Sequence, residues 1–316
     1  MKNKQKIIVI LGPTASGKSD LAVQLAKKFN GEIISADSRQ VYRGMDIGTG
    51  KIPRDKLLNK YDRIYLAMGI RHHLIDIVSP KKVFTVSDFK SQAERAISDI
   101  IKRGKLPIIV GGTGLYIDAL IYDIDIPEVP PNPLLRLNLN KFTAEKLYQK
   151  LKKRDPERSK TIDPHNKVRV IRALEIIDSL GKVPFLNTHY SLLATRYNVL
   201  WLGLNPKNLE KRIAIRVNQR LKKGAIKEVK NLIQNRVTKK RIYDFGLSYR
   251  AIIKFLDTKI DKQTMVKEFM RSEIQYAKRQ MTWFKRNKKI KWLSKNNQAL
   301  PLLDKFIKKS INKTGA

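Results

Sequence analysis

The 316-residue sequence predicts an α/β fold: a parallel-sheet core, an inserted helical domain and a helical C-terminal region. Three observations predict it. Short apolar runs alternate with amphipathic stretches through the first 123 residues. A glycine-bearing segment, GPTASGKS at Gly12–Ser19, separates the first apolar run from the first amphipathic stretch. The segment DIDIPEVPPNP at Asp123–Pro133 then breaks the alternation with four prolines, which continue neither a helix nor a central strand.

The elements follow in order. KIIVIL (Lys6–Leu11) has the length and unbroken apolarity of a strand buried on both faces. The basic start MKNK before it is signal-like, but the apolar run ends after Leu11 in a glycine loop, which favours a strand. SDLAVQLAKKF (Ser19–Phe29) has helical periodicity, and GEIIS (Gly31–Ser35) is a second strand. HLIDIV (His73–Val78) is expected as a third strand. A long helix should cover Thr85–Gly104, capped by Thr85 or Ser87 and closed by Gly104. LPIIVGG (Leu106–Gly112) is a fourth strand. Beyond the prolines the chain is helical and basic, most clearly in NKVRVIRALEIIDSLGK (Asn166–Lys182). YNVLWLGL (Tyr197–Leu204) reads as a strand returning to the sheet, so the helical piece is an insertion. The expected divisions are 1–123 (core), 124–195 (inserted domain) and 196–316 (return strand and basic helical region). Helices should run from Asn205 to about Arg286, followed by KIKWLS and a Lys-rich tail.

Composition narrows the function classes. No apolar run reaches the roughly 18 residues of a membrane helix, so no membrane span is expected. The absence of cysteine excludes disulfides and thiolate metal sites and fits a cytoplasmic protein. The net charge is +38, unevenly spread. Residues 1–135 carry 21 Lys and Arg against 14 Asp and Glu, whereas residues 136–316 carry 45 against 14. A second half this basic attracts polyanions, nucleic acid first among them; a Lys- and Asn-rich proteome is the bland alternative.

GPTASGKS matches G-x-x-x-x-G-K-[ST] in the strand–loop–helix setting that the motif requires, which makes the core P-loop NTPase-like. Gly12 and Gly17 let the backbone curl through Pro13, Thr14, Ala15 and Ser16, so that consecutive N–H groups face one anion. Lys18 neutralises phosphate oxygens and Ser19 can hold Mg²⁺. The acid that P-loop hydrolases place after a later strand is missing: Gly111, Gly112 and Gly114 stand there, with Thr113 among them. This is either a second anion-binding loop or a tight strand-to-helix turn. A motor or hydrolase is thereby disfavoured, leaving enzymes in which a pyrophosphate departs as a group. Asp37 follows the second strand, at the end of the sheet where α/β sites form. On its residues alone it can ligate Mg²⁺, cap a helix or act as a general base.

Six segments occur together in order: GPTASGKSDLAVQLA, ISADSRQVYRGMDIGTGK, HHLID, IIVGGTGLYIDAL, RVIRALE and YAKRQMTWF. With them the chain resembles the tRNA dimethylallyltransferases (tRNA isopentenyltransferases) over about residues 5–294. The resemblance implies transfer of a dimethylallyl group from its diphosphate to the exocyclic amine of the adenosine 3′ to the anticodon. It implies that Asp37 is the general base, that Thr113 touches the leaving group or substrate, and that Gly12–Ser19 with Mg²⁺ holds the diphosphate. It further implies that Asp37, Ser38, Arg39 and Gln40 grip the extruded base, that Arg136, Arg169 and Arg172 meet the tRNA, and that Arg216 faces the site and is expected among the tRNA-binding residues. A monomer is expected.

Several residues keep alternative readings. Arg212, Arg216 and Arg220 share one helical stripe, and Arg169 and Arg172 share another face, which is otherwise a solvated basic face or a lid arginine pair as in small-molecule kinases. In FGLSYR (Phe245–Arg250), Leu247 and Ser248 interrupt the family's Gly-Tyr-basic pattern, leaving the roles of Tyr249 and Arg250 open. Arg279 and Gln280 match the family without a derivable role, and Trp283 and Phe284 suit a core better than base stacking. His72 and His73 would face opposite sides of a strand, and His165 and His189 stand apart, so no zinc site is expected. The competing activities are a P-loop kinase of a nucleoside or small metabolite, a prenyltransferase of free adenine nucleotides, and a non-enzymatic RNA-binding protein.

Overall fold

A computed structural model describes residues 4–56, 64–184 and 195–308; His189 lies outside them. The chain divides into two compact units, Met1–Asp123 with Ala194–Ala316, and Ile124–Leu193.

The first unit is built on a sheet. It begins with β1 (Lys6–Leu11), α1 (Lys18–Lys28) and β2 (Gly31–Ala36). The hairpin β3 (Tyr65–Ala67) and β4 (Ile70–His73) follows, then α2 (Val86–Lys102), β5 (Leu106–Gly111) and α3 (Gly114–Ile121). The second unit contributes α4 (Pro133–Leu139), α5 (Ala144–Arg154), α6 (Pro156–Thr161) and α7 (Lys167–Leu180). The chain re-enters the sheet at β6 (Asn198–Leu204) and continues through α8 (Leu209–Lys222), α9 (Ala225–Gln234), α10 (Lys239–Asp244), α11 (Leu247–Leu256) and α12 (Lys262–Phe284). The strand β7 (Lys291–Leu293) and α13 (Ala299–Lys308) follow.

Among the described residues the strand order is β3-β4-β2-β5-β1-β6-β7, with every pairing parallel except β3–β4. β1 lies between β5 and β6, and Ile7–Leu11 are buried, which is why its sequence is apolar without alternation. Ile8, Ile10, Ile108 and Leu202 pack with Leu21 and Leu25 of α1 and Leu303 of α13. Thr85 rather than Ser87 caps α2: its hydroxyl accepts the Asp88 N–H (3.1 Å) while the Asp88 carboxylate accepts the Thr85 N–H (2.8 Å).

The third strand differs from expectation. It ends at His73, because Leu74 and Asp76 adopt φ of 62° and 58°, outside the β region. It begins at Ile70 after a two-residue turn, Met68–Gly69, with both φ positive (54° and 77°), the geometry that joins twisted antiparallel strands. The KIKWLS run supplies an edge strand, β7, beside β6.

In the second unit Leu139, Leu147, Leu151, Val170, Ile171 and Leu174 form a separate apolar core. Asn166 caps α7 by accepting the Arg169 N–H (3.2 Å).

Candidate active site

The register of the sheet assembles the site. Leu11 of β1 pairs with Gly111 of β5, and Gly111 pairs with Ala36 of β2. All three strands therefore end level, and Gly12, Asp37 and Gly112 leave the sheet at one edge. Gly111 must be glycine, because a side-chain carbon there would collide with the Ala36 carbonyl oxygen. That explains the missing acid: the tight β2–β5 approach leaves no room for it. The same carbonyl accepts the Thr113 N–H (3.2 Å), and the Thr113 hydroxyl accepts the Ser38 N–H (3.1 Å). Thr113 thus ties the loop after β5 to the turn after β2. It stands outside the cleft lining described next.

The Gly12–Ser19 segment, the expected phosphate cradle, joins β1 to α1. Gly12 (φ 148°) lies where any side-chain carbon would meet the Leu204 carbonyl, and Ala15 (φ 60°) occupies the left-handed region that non-glycine residues rarely adopt. Pro13, Ala15 and Ser16 are buried; Thr14, Lys18 and Ser19 face the cleft. The Lys18 ammonium donates to the Pro13 carbonyl (2.6 Å). Removal from water pushes Lys18 down to about 7; the Arg216 charge adds to the fall and Asp37 opposes it.

Asp37, Arg39 and Gln40 line the same cleft. Asp37 Oδ1 accepts the N–H groups of Arg39 (2.8 Å) and Gln40 (3.3 Å), fixing the turn that leaves β2. Arg39 Nε donates to the Phe245 carbonyl (2.9 Å), and Gln40 Oε1 accepts the Ser35 hydroxyl (3.0 Å). Ser38 borders a neighbouring groove with Arg39, Arg250 and Arg279. Ala22, Ile33, Ile52, Ile75 and Val110 give the cleft an apolar part.

The arginine stripe of α8 turns toward the cradle. Arg212 Nε donates to the Ala15 carbonyl (2.8 Å), and an Arg216 Nη to the Gly50 carbonyl (3.0 Å). Arg220 pairs with Glu273 (3.0 Å). Burial, reinforced by Arg220, pushes Arg216 down to about 10, so it remains a cation at neutral pH.

The sequence left the contribution of α12 undefined. Gln280 Oε1 accepts the Thr14 N–H (2.8 Å), and its amide nitrogen donates to the Gly112 carbonyl (2.8 Å). One side chain therefore joins the two glycine loops. Glu273 accepts the Thr14 hydroxyl (3.1 Å), and Tyr276 lines the cleft. Burial raises the Tyr276 hydroxyl, with Asp37 acting in the same direction and a bond to Thr113 opposing. Residues 273, 276 and 280 share one helical face, a spacing that marks a common target without identifying it. Gln280→Ala should lose about 1–3 kcal/mol of stability, because a buried donor and acceptor lose their partners. Urea denaturation checks this; a change below about 0.5 kcal/mol would show that solvent replaces both bonds.

Glu228 of α9 holds the loop after Gly44. Its carboxylate accepts the N–H groups of Asp46 and Ile47 (2.6 Å each) and Gly48 (3.0 Å), plus the Tyr249 hydroxyl (2.8 Å). Tyr249 is buried in this support, whereas Arg250 is exposed over the Tyr243 ring at 4.5 Å. Trp283 is half-buried, its indole N–H donating to Asp118 (2.6 Å), and Phe284 is core. His73 bonds Glu32 (2.8 Å) and His72 bonds the Ile70 carbonyl (2.9 Å), so the two rings have separate partners.

In the second unit Arg136 and Arg172 both pair with Glu175, at 2.7 and 2.5 Å, and Arg172 also donates to the Val129 carbonyl (2.8 Å). Burial opposes ionisation of Glu175, but the Arg136 bond, the Asn132 N–H and the Arg172 bond prevail and hold it at about 2. Arg169 is exposed.

A family model described as IPP transferase matches residues 40–287. The chain is 39% identical over 300 residues to the tRNA dimethylallyltransferase of Anoxybacillus flavithermus, covering 94% of this chain and 92% of that one. It is 40% identical to the Caldanaerobacter subterraneus tRNA dimethylallyltransferase, over 91% of each chain. Among solved structures it is similar to the tRNA isopentenylpyrophosphate transferase of Bacillus halodurans (TM-score 0.69, 35% identity, 99% of this chain and 100% of that one). It is also similar to a eukaryotic dimethylallyltransferase acting on tRNA (TM-score 0.70, 32% identity, 88% and 69%).

Proposed function

The chain belongs to the IPP transferase family, and on that premise we propose that it is a tRNA dimethylallyltransferase. It moves a dimethylallyl group from dimethylallyl diphosphate to the exocyclic N6 amine of the adenosine 3′ to the anticodon. The observation that carries this reading is that Asp37 and Lys18 line one cleft at the level strand ends.

In this reading Lys18, Arg216 and the cradle N–H groups hold the diphosphate, and the apolar part of the cleft, Ile52, Ile75 and Val110, receives the five-carbon tail. The N6 lone pair attacks the allylic carbon, the carbon–oxygen bond breaks, and its electron pair leaves with the diphosphate. Asp37 takes the N6 proton through Oδ2, since Oδ1 already accepts two backbone N–H groups. Thr113 supports the catalytic turn through Ser38. Arg39 and Gln40 border the base. Arg136, Arg169 and Arg172 of the inserted unit meet the tRNA; Arg136 and Arg172 do so while sharing Glu175.

Mg²⁺ suits the donors present. Ser19 offers an exposed hydroxyl oxygen in the cleft, and Mg²⁺ usually combines one or two protein oxygens with phosphate oxygens and water. When bound, it would neutralise charge on the departing diphosphate. The cleft is lined by residues of the first unit, and action as a monomer is part of the proposal. The tRNA substrate and the lack of cysteine support a cytoplasmic location. Among the described residues no helix is long and apolar enough to cross a membrane.

Incubation with dimethylallyl diphosphate, Mg²⁺ and unmodified tRNA, beside AMP and ATP controls, tests the reading. Only tRNA should gain the prenyl group. Phosphoryl transfer from ATP would favour the kinase, and prenylation of AMP the nucleotide-specific enzyme.

A further inference from the structure

We propose that Arg220 is a further diphosphate-contacting residue, its Nε–H completing the cationic wall begun by Lys18 and Arg216, and that Glu273 positions it. This rests on the reading that the cleft binds a prenyl diphosphate.

Arg220 is 6% exposed yet lines the cleft. One terminal nitrogen donates to Glu273 Oε1 (3.0 Å), while its Nε is buried with no hydrogen-bond partner among the described residues. A buried guanidinium donor without an acceptor is costly unless a ligand supplies one. Arg216 is its neighbour: a side-chain carbon on Gly50 would lie 2.5 Å from an Nη of each. Four cationic side chains (Lys18, Arg39, Arg216 and Arg220) and two carboxylates (Asp37 and Glu273) line the cleft. The positive excess calls for an anionic ligand. Burial is the main cause that lowers Lys18 and Arg216, and the neighbouring cations add to it, Arg216 acting on Lys18 and Arg220 on Arg216.

Glu273 sets where this guanidinium stands. Oε1 accepts from Arg220 and Oε2 from the Thr14 hydroxyl, so one carboxylate ties the arginine to the cradle. As the carbon–oxygen bond breaks, negative charge grows on the diphosphate, and a donor already oriented there needs no reorganisation.

Arg220→Met alone would leave Glu273 buried and unpaired, so two other variants serve. Arg220→Lys keeps the charge and the pair but has no Nε–H; the double variant Arg220→Met with Glu273→Gln removes both charges. Calorimetric binding of inorganic diphosphate should weaken about fivefold in the first and tenfold or more in the second. The tRNA affinity should stay within about threefold in both, which a merely structural role would not separate. A folded double variant, or Arg220→Lys, that binds diphosphate within about threefold of the unaltered protein would overturn the proposal. The readout needs no turnover. If the unaltered protein binds diphosphate but prenylates no tRNA, the functional reading fails by itself.

Discussion

Asp37→Asn is expected to lower kcat for tRNA prenylation by about 10²-fold or more, with tRNA affinity held within about threefold. Asparagine keeps an Oδ1 that can accept the Arg39 and Gln40 N–H groups, so the turn after β2 should persist. What it loses is the capacity to accept a proton. The substitution therefore separates the three roles open to this carboxylate. A turn cap predicts an unchanged kcat. A magnesium ligand predicts recovery when Mg²⁺ is raised. A general base predicts a loss that Mg²⁺ does not restore. Single-turnover prenyl incorporation, beside filter binding of the same tRNA, reads all three.

Lys18→Met should cost about 10²–10³-fold in kcat/KM for dimethylallyl diphosphate, the effect of removing one preorganised donor at a developing charge. The unaltered protein carries a pH signature as well. Lys18 is held at about 7, so it is charged below that value and neutral above it. The second ionisation of a phosphate lies near pH 6, so by about pH 8 the ligand has reached its full charge. Affinity for dimethylallyl diphosphate should then fall as pH rises above about 7, and the methionine variant should lose that slope. The linkage to stability has the opposite sign: between about 7 and the ordinary lysine value the unfolded chain binds more protons, so this group favours folding increasingly as pH rises. An unchanged slope in the variant would assign the titration to another group.

Much of this site is legible in the sequence because it is local. GPTASGKS encodes its own turn, with a strand before it and a helix after it. Thr85 and Asp88 cap one another within four residues. The spacing of Arg212, Arg216 and Arg220 places them on one face by helical geometry alone, and that face meets the cradle region. The same local logic misplaced the third strand, because HLIDIV has the apolarity of a strand while its backbone turns left-handed at Leu74 and Asp76.

By itself the sequence determined the periodicities, the glycine loop after β1, the acid after β2 and the basic second half. Tertiary structure decided the partners of these groups. Gln280 reaches Thr14 across 266 residues and Gly112 across 168, and no short-range pattern encodes such a pairing. In the sequence Arg136 and Arg172 are only basic residues expected to meet the tRNA; the structure pairs both with a buried Glu175. The register of β1, β2 and β5 levels Gly12, Asp37 and Gly112, and the β2–β5 spacing requires glycine at position 111. The physical reason is range: turns, caps and helical faces are set by neighbours a few residues apart. Partners of buried polar groups are chosen only when distant segments close on one another and each donor must find an acceptor.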